Sequence, residues 1–479
     1  MVRVRFAPSP TGFVHVGSLR TALYNYLFAR HHNGVNILRI EDTDQTRYVE
    51  GAVENLLRTM DWAGISFDEG PVQGGEYGSY TQSERTDLYR KHAEELVEKG
   101  KAYYCFCSSE RLDQVRKEMQ ASGQPPMYDR HCRNLSADEV NAKLDAGEKH
   151  VVRLRVPLGE TITFNDIVRG EVSFETKTID DQVLLKSDGF PTYHLANVVD
   201  DRHMKITHVI RGEEWLSSTP KHILLYRAFG WESEMPAFAH LALLLNPDRS
   251  KLSKRQGDVA VEDFKAQGYL PDALVNFVAL LGWNPSDTQE IYSMQELIAA
   301  FDLEKVNKGG AVFGREKLDW MNAEYIRKKS PADLLALVRP LAAARGYAVS
   351  DEYLSKVIAL MLERVRSVND FVDFASYFFM APTEFDEKSR AKNWNAEAKQ
   401  RLADILPTLK ALPEWTHTAI EQTVRSYAEA NGISAGKLIH PLRLASSGVG
   451  MGPSLFEMLE TIGQAEVCSR IEYALANLD

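Results

Sequence analysis

The sequence predicts an α/β protein with a parallel sheet in its N-terminal part and an all-helical C-terminal third. Three observations carry this reading. Val2–Ser18 has the pattern of a strand, a tight turn and a helix start, and Val35–Ile40 supplies a second strand after one helix. From about Ser330 onward, strand signals vanish while helical spacing persists.

In the first strand Val2, Val4 and Phe6 alternate with Arg3 and Arg5. Ala7-Pro8-Ser9-Pro10-Thr11-Gly12 cannot continue it, because two prolines remove ladder donors and Gly12 tolerates positive φ. After Ser18, apolar residues at Leu19, Leu23, Tyr26 and Leu27 recur at helical spacing, and Asn33-Gly34 reads as the stop. Val35–Ile40 then ends in Glu41-Asp42-Thr43-Asp44, which completes a βαβ unit. His15 falls at the helix N-terminus, where unpaired N–H groups and the dipole attract anions. A helix is expected around 49–63. A more polar segment runs from Glu84 to about Leu185, with a helix over 89–101, a cysteine cluster, and strand-like runs at His150–Val156 and Glu171–Phe174.

The sheet is expected to resume near Tyr193 and to run through Ile206–Ile210, ending at Arg211, Glu213 and Glu214. Tyr193 and Asn197, four apart on a helix over 192–199, would face one side together. Strand ends on one edge of an open sheet build a single crevice. Further on, 332–338, 353–364, 396–409 and 419–431 read as amphipathic helices, with Ala381–Glu384 as a joint between two helical halves. Gly448-Val-Gly450-Met-Gly452 follows no long strand and lacks a P-loop lysine, so it reads as a connector. There is no internal repeat and no low-complexity segment.

A chain of 479 residues favours several domains, because single cores rarely exceed roughly 250–300 residues. With 44% apolar residues it can fill packed cores. The longest apolar run, Val357–Leu362, falls far short of the ~18–20 residues that span a bilayer. The first residues enter a strand at once, so no leader and a cytoplasmic location are expected. Of the four cysteines three are clustered, which points to thiolates in a reducing compartment over disulfides. The net charge of -11 opposes nucleic-acid binding only on the global scale. Locally, Lys305, Lys308, Arg315, Lys317, Arg327, Lys328 and Lys329 gather in one stretch, read either as an RNA-facing patch or as a solvated charged face.

Cys105-Phe-Cys107, followed by Tyr128 and Cys132, suggests zinc. Two thiolates one residue apart can reach one ion, and a returning cysteine plus a further ligand, Tyr128 or His131, would close a tetrahedron. Buried free thiols are the alternative. Cys468, in an apolar helical context, reads as a core residue.

Two short motifs carry the chemistry. His15-Val16-Gly17-Ser18 lies at the first crossover, and Lys251-Leu252-Ser253-Lys254-Arg255 lies far downstream, placing two ammonium groups on one polar loop. The pair, in this order, resembles the two signatures of class I aminoacyl-tRNA synthetases. Arg5–Gly12, Arg39–Asp44 and Ile210–Trp215 narrow the resemblance to the bacterial-type glutamyl-tRNA synthetase family, across the whole chain and most weakly between about Ser330 and Gly432. Ser18 replaces the second histidine of the first signature, and Leu252 and Arg255 depart from the second; neither lysine is lost.

The resemblance implies a Rossmann-like catalytic domain in two halves, 1–83 and 186–245. It places an acceptor-binding insertion at 84–185, a stem-contact domain at 246–329, and two helical anticodon-binding parts at 330–383 and 384–479. It implies an enzyme that joins L-glutamate to ATP and Mg²⁺ chemistry and passes the glutamyl group to the terminal adenosine of tRNA(Glu). In that family activation itself requires bound tRNA. In-line displacement of pyrophosphate needs positioned cations and N–H donors and no general base. His15, Ser18, Lys251, Ser253 and Lys254 are the expected catalytic residues. His15, Gly17, Glu214, Trp215, Leu252 and Lys254 fall on the ATP side.

Glutamate presents two carboxylates and one ammonium, so its pocket needs two cations and one anion. Arg5 and Arg211 would supply the first and Glu41 the second, with Ala7, Ser9, Tyr193 and Asn197 completing the set. A structural ion pair between Arg5 and Glu41 is the competing reading. The resemblance further implies structural Zn²⁺ in some members, a monomer, and anticodon contacts from Arg364, Arg366 and Arg443. Charging of tRNA(Gln) as well, or a silent tRNA-binding homologue, are the alternatives; a short paralogue without an anticodon-binding region is disfavoured by the helical third.

Overall fold

The structure, a computed structural model, describes residues 1–252 and 259–478. It divides into two compact units, Met1–Phe264 with Val275–Gly314, and Lys265–Leu274 with Arg315–Asp479.

In the first unit, strands β1 (Arg3–Phe6) and β2 (Val35–Leu38) pair in parallel from Arg3↔Val35 to Phe6↔Leu38. Helix α1 (Val16–His31) makes the crossover that a parallel pair requires, burying Leu19, Leu23 and Leu27. The expected stop behaves differently from a simple Gly cap. Asn33 takes the left-handed conformation at φ +50°, whereas Gly34 is needed for close approach, since a Cβ there would lie 2.4 Å from the Val2 carbonyl oxygen.

Helices α2 (Ala52–Trp62) and α3 (Thr86–Glu98) follow close to where the sequence puts them. Strand β3 (Ala102–Cys105) then forms an antiparallel sheet in the order β3-β4-β7 with β4 (Val151–Leu154) and β7 (Val183–Leu185). Between the last two lies a hairpin that sequence reading only half found, β5 (Thr161–Asp166) and β6 (Gly170–Glu175). The catalytic sheet resumes with β8 (His208–Gly212), two residues later than expected, and β9 (Ala237–Leu241). These two are parallel, and β5 adds to the far side of β9 through Asp166↔Phe238.

Thr207 N–H donates to the Arg3 carbonyl at 2.9 Å, which brings β1 beside the start of β8. The hairpin therefore extends the catalytic sheet although its residues lie inside the expected insertion. Helices α4 (Tyr193–His203) and α5 (Thr219–Phe229) cover this region with buried Leu195, Val198, Val199, Leu224, Leu225 and Phe229.

The second unit is helical: among the described residues no strand follows Val312. Helices Pro331–Ala344, Asp351–Met361, Ala396–Lys410 and His417–Ala430 contain or nearly match the expected four. Each begins at a side-chain cap, Ser330, Ser350, Asn395 and Thr416, that accepts a backbone N–H of its first turn. Gly436–Ser447, Leu455–Ile462 and Gln464–Asn477 follow, the last burying Cys468. The glycine-rich stretch is a connector, as expected, and Gly448 has a reason to be glycine: φ is +75° and a Cβ would meet the Glu384 carbonyl oxygen at 2.5 Å.

The basic stretch near residues 305–329 is divided between the units, and much of its charge is matched locally. Lys305 pairs with Asp302, Arg315 with Asp319, Arg327 with Glu324 and Lys329 with Asp272. No helix among the described residues is long and apolar enough to cross a membrane.

Candidate active site

His15 is the N-cap of α1, and its ring does the capping. Nδ1 accepts the N–H groups of Gly17 at 3.0 Å and Ser18 at 3.3 Å. With Nδ1 occupied as an acceptor, the neutral ring carries its proton on Nε2, 3.2 Å from Ser18 Oγ. That N–H is held at an exposed helix N-terminus, where a phosphate would sit. Gly17 is glycine for a reason the sequence did not reveal: a Cβ there would fall 2.9 Å from His15 Cε1. The space is first of all the space of the imidazole, rather than room for a nucleotide.

Both flanks of the lysine loop converge here. Leu252 N–H donates to the Leu244 carbonyl at 2.9 Å and Lys251 bridges to Leu245, while Val16 N–H donates to the Val259 carbonyl at 2.9 Å. Ser253 and Lys254, together with Arg255, lie outside the described residues. Lys251, Leu252 and Val259 line the same cavity, of about 550 Å³, as His15, Gly17 and Ser18, and Glu214 and Trp215 close it on another side. The expected amino-acid-binding set, Arg5, Ala7, Ser9, Glu41, Tyr193, Asn197 and Arg211, lines that cavity too.

The charges in it are arranged otherwise than in the competing ion-pair reading. Arg5 and Glu41 do not pair with each other. Arg5 grips Asp201 through Nε at 3.0 Å and Nη2 at 3.3 Å, and Glu41 is held by Arg39 Nη2 at 3.0 Å. Arg39 Nη1 also reaches Asp201 at 2.8 Å and its Nε lies 3.9 Å from Asp200, which Arg85 holds at 2.9 Å, so three guanidinium groups and three carboxylates form a buried, balanced network. Asn197 sits between Arg5, Arg39 and Asp201: its oxygen toward Nη2 of Arg5 and of Arg39, 3.1 Å from each, and its nitrogen 3.2 Å from Asp201 Oδ2 give both ends of the amide a partner. Burial pushes Glu41 up, opposed by Arg39 and Arg5, whereas the two guanidinium groups outweigh burial at Asp201 and pull it down. Arg39 and Asp201 were missed as site residues. Arg39 is two residues from Glu41 along an extended chain, which places both on one face, but Asp201 is far away in sequence and carries no local signal.

Arg211 is the exception to this balance. It is buried, and its hydrogen-bond partners are all neutral acceptors: Tyr193 Oη at 2.7 Å, Thr219 Oγ1 at 3.0 Å, His240 Nε2 at 3.0 Å, the Trp215 carbonyl at 3.3 Å and His222 Nδ1 at 3.5 Å. No carboxylate among the described residues forms an ion pair with it. Burial drives the neighbouring His222 well below its usual range, with Arg211 adding to the effect, and brings His194 down to about 3. The imidazoles therefore stay neutral and leave the guanidinium charge unopposed at the cavity wall. Such a group is built to take a carboxylate from a ligand. Trp215 packs against Tyr193, ring centroids 4.4 Å apart and planes tilted by 41°.

A second cluster lies on the β3 sheet. The sulfurs of Cys105, Cys107 and Cys132 lie within 4.8 Å of one another, and Tyr128 Oη is 3.3 Å from Cys105 and 3.6 Å from Cys107. No histidine nitrogen belongs to this group, which favours Tyr128 over His131 as the fourth ligand. Hydrogen bonds from Cys132 and Tyr128 hold the Cys105 thiol down, to about 4, so the site readily offers a thiolate. The donor set fits a tetrahedral zinc ion.

Of the residues expected to meet an anticodon, Arg364 and Arg366 are exposed, but Arg443 is not. Its Nη2 donates to the Pro453 carbonyl at 2.7 Å, and Gly452 is small enough to admit Nη1, which a Cβ would approach to 2.8 Å. Arg443 thus clamps the glycine-rich connector, and burial lowers its pKa. Arg443→Ala is expected to lower stability by roughly 1–3 kcal/mol, the cost of orphaning a buried acceptor and opening a gap, with little change in affinity for an RNA ligand. Denaturant melts and filter binding on Arg443→Ala and Arg364→Ala, side by side, check this.

Comparison with known proteins agrees with the geometry. Residues 1–320 match the family described as tRNA synthetases class I (E and Q), catalytic domain, and residues 333–475 match a family described as anticodon binding domain. The glutamate–tRNA ligase of Chlorobium chlorochromatii is 51% identical over 99% of this chain and 98% of its own. That of Chloroherpeton thalassium is 51% identical over 100% of this chain and 98% of its own. A crystal structure of a glutamate tRNA ligase from Elizabethkingia meningosepticum, in complex with its amino acid, superposes with a TM-score of 0.91 at 43% identity, covering 100% of both chains.

Proposed function

The chain belongs to the glutamate and glutamine family of class I tRNA synthetases, and from that premise we propose that it is a glutamate–tRNA ligase. The observation that carries the choice of amino acid is Arg211. A buried cation ringed by neutral acceptors rewards a second carboxylate and gives an uncharged side-chain amide much less. In this reading Arg211 takes the side-chain carboxylate of glutamate, while Glu41 draws its ammonium and Arg5 lies on the α-carboxylate side. Tyr193 and Asn197 hold the two arginines in place, and Ala7 and Ser9 form the turn beneath the substrate.

ATP enters the cavity, and Mg²⁺ bound with it would supply charge compensation for the phosphate oxygens. His15 donates through Nε2 to those oxygens, and Ser18 supports it from the same helix turn. Lys251, with Ser253 and Lys254 of the same motif, neutralises the departing pyrophosphate. Gly17, Glu214, Trp215 and Leu252 border the nucleotide. The α-carboxylate attacks the α-phosphorus and pyrophosphate leaves; the 2′-hydroxyl of the terminal adenosine of tRNA(Glu) then attacks the activated carbonyl, the acyl–phosphate bond breaks, and AMP departs while the hydroxyl gives up its proton. Residues 84–185 receive the acceptor end, 246–329 contact the stem, and 330–383 and 384–479 read the anticodon through exposed groups such as Arg364 and Arg366. The enzyme works as a monomer in the cytoplasm, where its tRNA is found. Aminoacylation of purified tRNA(Glu) and tRNA(Gln) with glutamate tests this: charging of the first is expected, charging of both marks a non-discriminating enzyme, and charging of neither leaves a tRNA-binding homologue.

Cys105, Cys107, Tyr128 and Cys132 hold one structural zinc ion in this reading. Purified protein is expected to contain about one zinc per chain, lost on Cys105→Ser, with the β3 sheet loosened and the nucleotide fold intact. Elemental analysis checks it; metal-free protein with an equally protected β3 sheet in hydrogen exchange would assign the cluster to plain thiol packing.

A further inference from the structure

Arg211 has a neighbour that touches neither the cavity nor any ligand position. In the β8–β9 register Arg211 stands directly opposite His240, and on β5 Asp166 stands opposite Phe238, two residues before His240. Three adjacent strands thus set a carboxylate, an imidazole and a guanidinium in a row, all buried. Asp166 Oδ1 accepts the backbone N–H groups of Val168 at 3.0 Å, Arg169 at 2.9 Å and His240 at 3.2 Å. Its Oδ2 lies 2.6 Å from His240 Nδ1.

A carboxylate can only accept, so Nδ1 carries the imidazole proton and Nε2 is left as an acceptor. Nε2 then takes the Arg211 Nε–H at 3.0 Å and faces Thr219 Oγ1 at 3.2 Å. Burial lowers the His240 pKa, which agrees with a neutral ring.

We propose that Asp166 and His240 are positioning residues that set amino-acid specificity: through a fixed imidazole tautomer they orient Arg211 toward the substrate's side-chain carboxylate without neutralising it. The inference rests on the glutamate reading above. A carboxylate placed directly against Arg211 would orient it equally well but would cancel the charge that selects glutamate. Relaying the carboxylate through a neutral ring separates orientation from charge. It also explains why the β5–β6 hairpin joins the catalytic sheet: its last β5 residue supplies the far end of the relay.

Asp166→Asn tests this in the full-length protein. The asparagine oxygen can keep the three backbone bonds while its NH₂ faces Nδ1, which forces the proton onto Nε2 and sets it against the Arg211 Nε–H. The KM for glutamate should rise roughly 10- to 100-fold, the range for leaving one buried donor unsatisfied, with KM for ATP and tRNA near wild type and a modest fall in melting temperature from the same unsatisfied donor. Should Asp166→Asn fail to fold, His240→Gln, which can keep an acceptor toward Arg211, is compared with His240→Leu, which cannot; the former should retain glutamate use at least about tenfold better. Wild-type glutamate kinetics in folded Asp166→Asn, or equal losses in the two His240 variants, would overturn the relay while leaving the glutamate assignment intact. A wild-type protein that does not activate glutamate at all would remove both.

Discussion

Replacing Arg211 with alanine is expected to lower kcat/KM for glutamate by roughly 30- to 5000-fold, equivalent to about 2–5 kcal/mol for a buried charge pair that loses one partner. The expectation follows from how the guanidinium is held. Tyr193, Thr219, His240 and the Trp215 carbonyl fix its plane, yet none carries a negative charge. On the proposed reading the ligand carboxylate is the charged partner that no described residue supplies, and with Arg211 gone that carboxylate would be desolvated without compensation. Weak use of glutamine should fall far less. Glutamate- and tRNA-dependent pyrophosphate exchange with both amino acids reads the difference, and unchanged glutamate kinetics would take Arg211 out of the carboxylate site.

The second large effect is at His15. His15→Ala should slow adenylate formation by about 10²–10³-fold, the scale of losing one preorganised donor to a transition-state oxyanion, about 2.7–4 kcal/mol. Because the ring also caps α1 through Nδ1, a stability loss of roughly 0.5–2 kcal/mol should accompany it. Gly17→Ala separates the two roles. Its methyl group would displace the imidazole by contact with Cε1, so the rate should fall toward that of His15→Ala although the histidine is still present. Single-turnover rates at saturating ATP, beside thermal melts, check the pair; a Gly17→Ala enzyme with normal rate would show that the capped ring position is not the reactive one.

Much of this site could be read from residues that are neighbours along the chain. The turn from Ala7 to Gly12, the capped helix start at His15 and the strand-end positions of Arg5, Glu41 and Arg211 all have local signatures, and they do line one cavity. Helices of the second unit were legible from apolar spacing, and the caps at Ser330, Ser350, Asn395 and Thr416 are what the structure adds at their starts. What escaped was set by contacts across long separations. Asp201 neutralises Arg5 from |i−j| = 196, and Asp166 meets His240 from |i−j| = 74; periodicity carries no information on such pairs. The β5 strand alternates exposed and buried residues in its period-2 pattern, a signal that was present, but nothing local says that it joins β9 rather than the insertion's own sheet. Arg443, which the resemblance puts among the anticodon contacts, is buried against Gly452 and Pro453, and no local pattern announces that packing.

Selection of glutamate rests on a buried cation, Arg211, that no carboxylate among the described residues pairs with. The most direct measurement supplies purified enzyme with tRNA(Glu), ATP, Mg²⁺ and equal concentrations of glutamate and glutamine, and identifies the amino acid esterified to the tRNA. Glutamyl-tRNA in large excess is the predicted result, with the excess collapsing in Arg211→Ala. Glutaminyl-tRNA in comparable or greater amount, or a glutamate preference that survives the loss of Arg211, would contradict it.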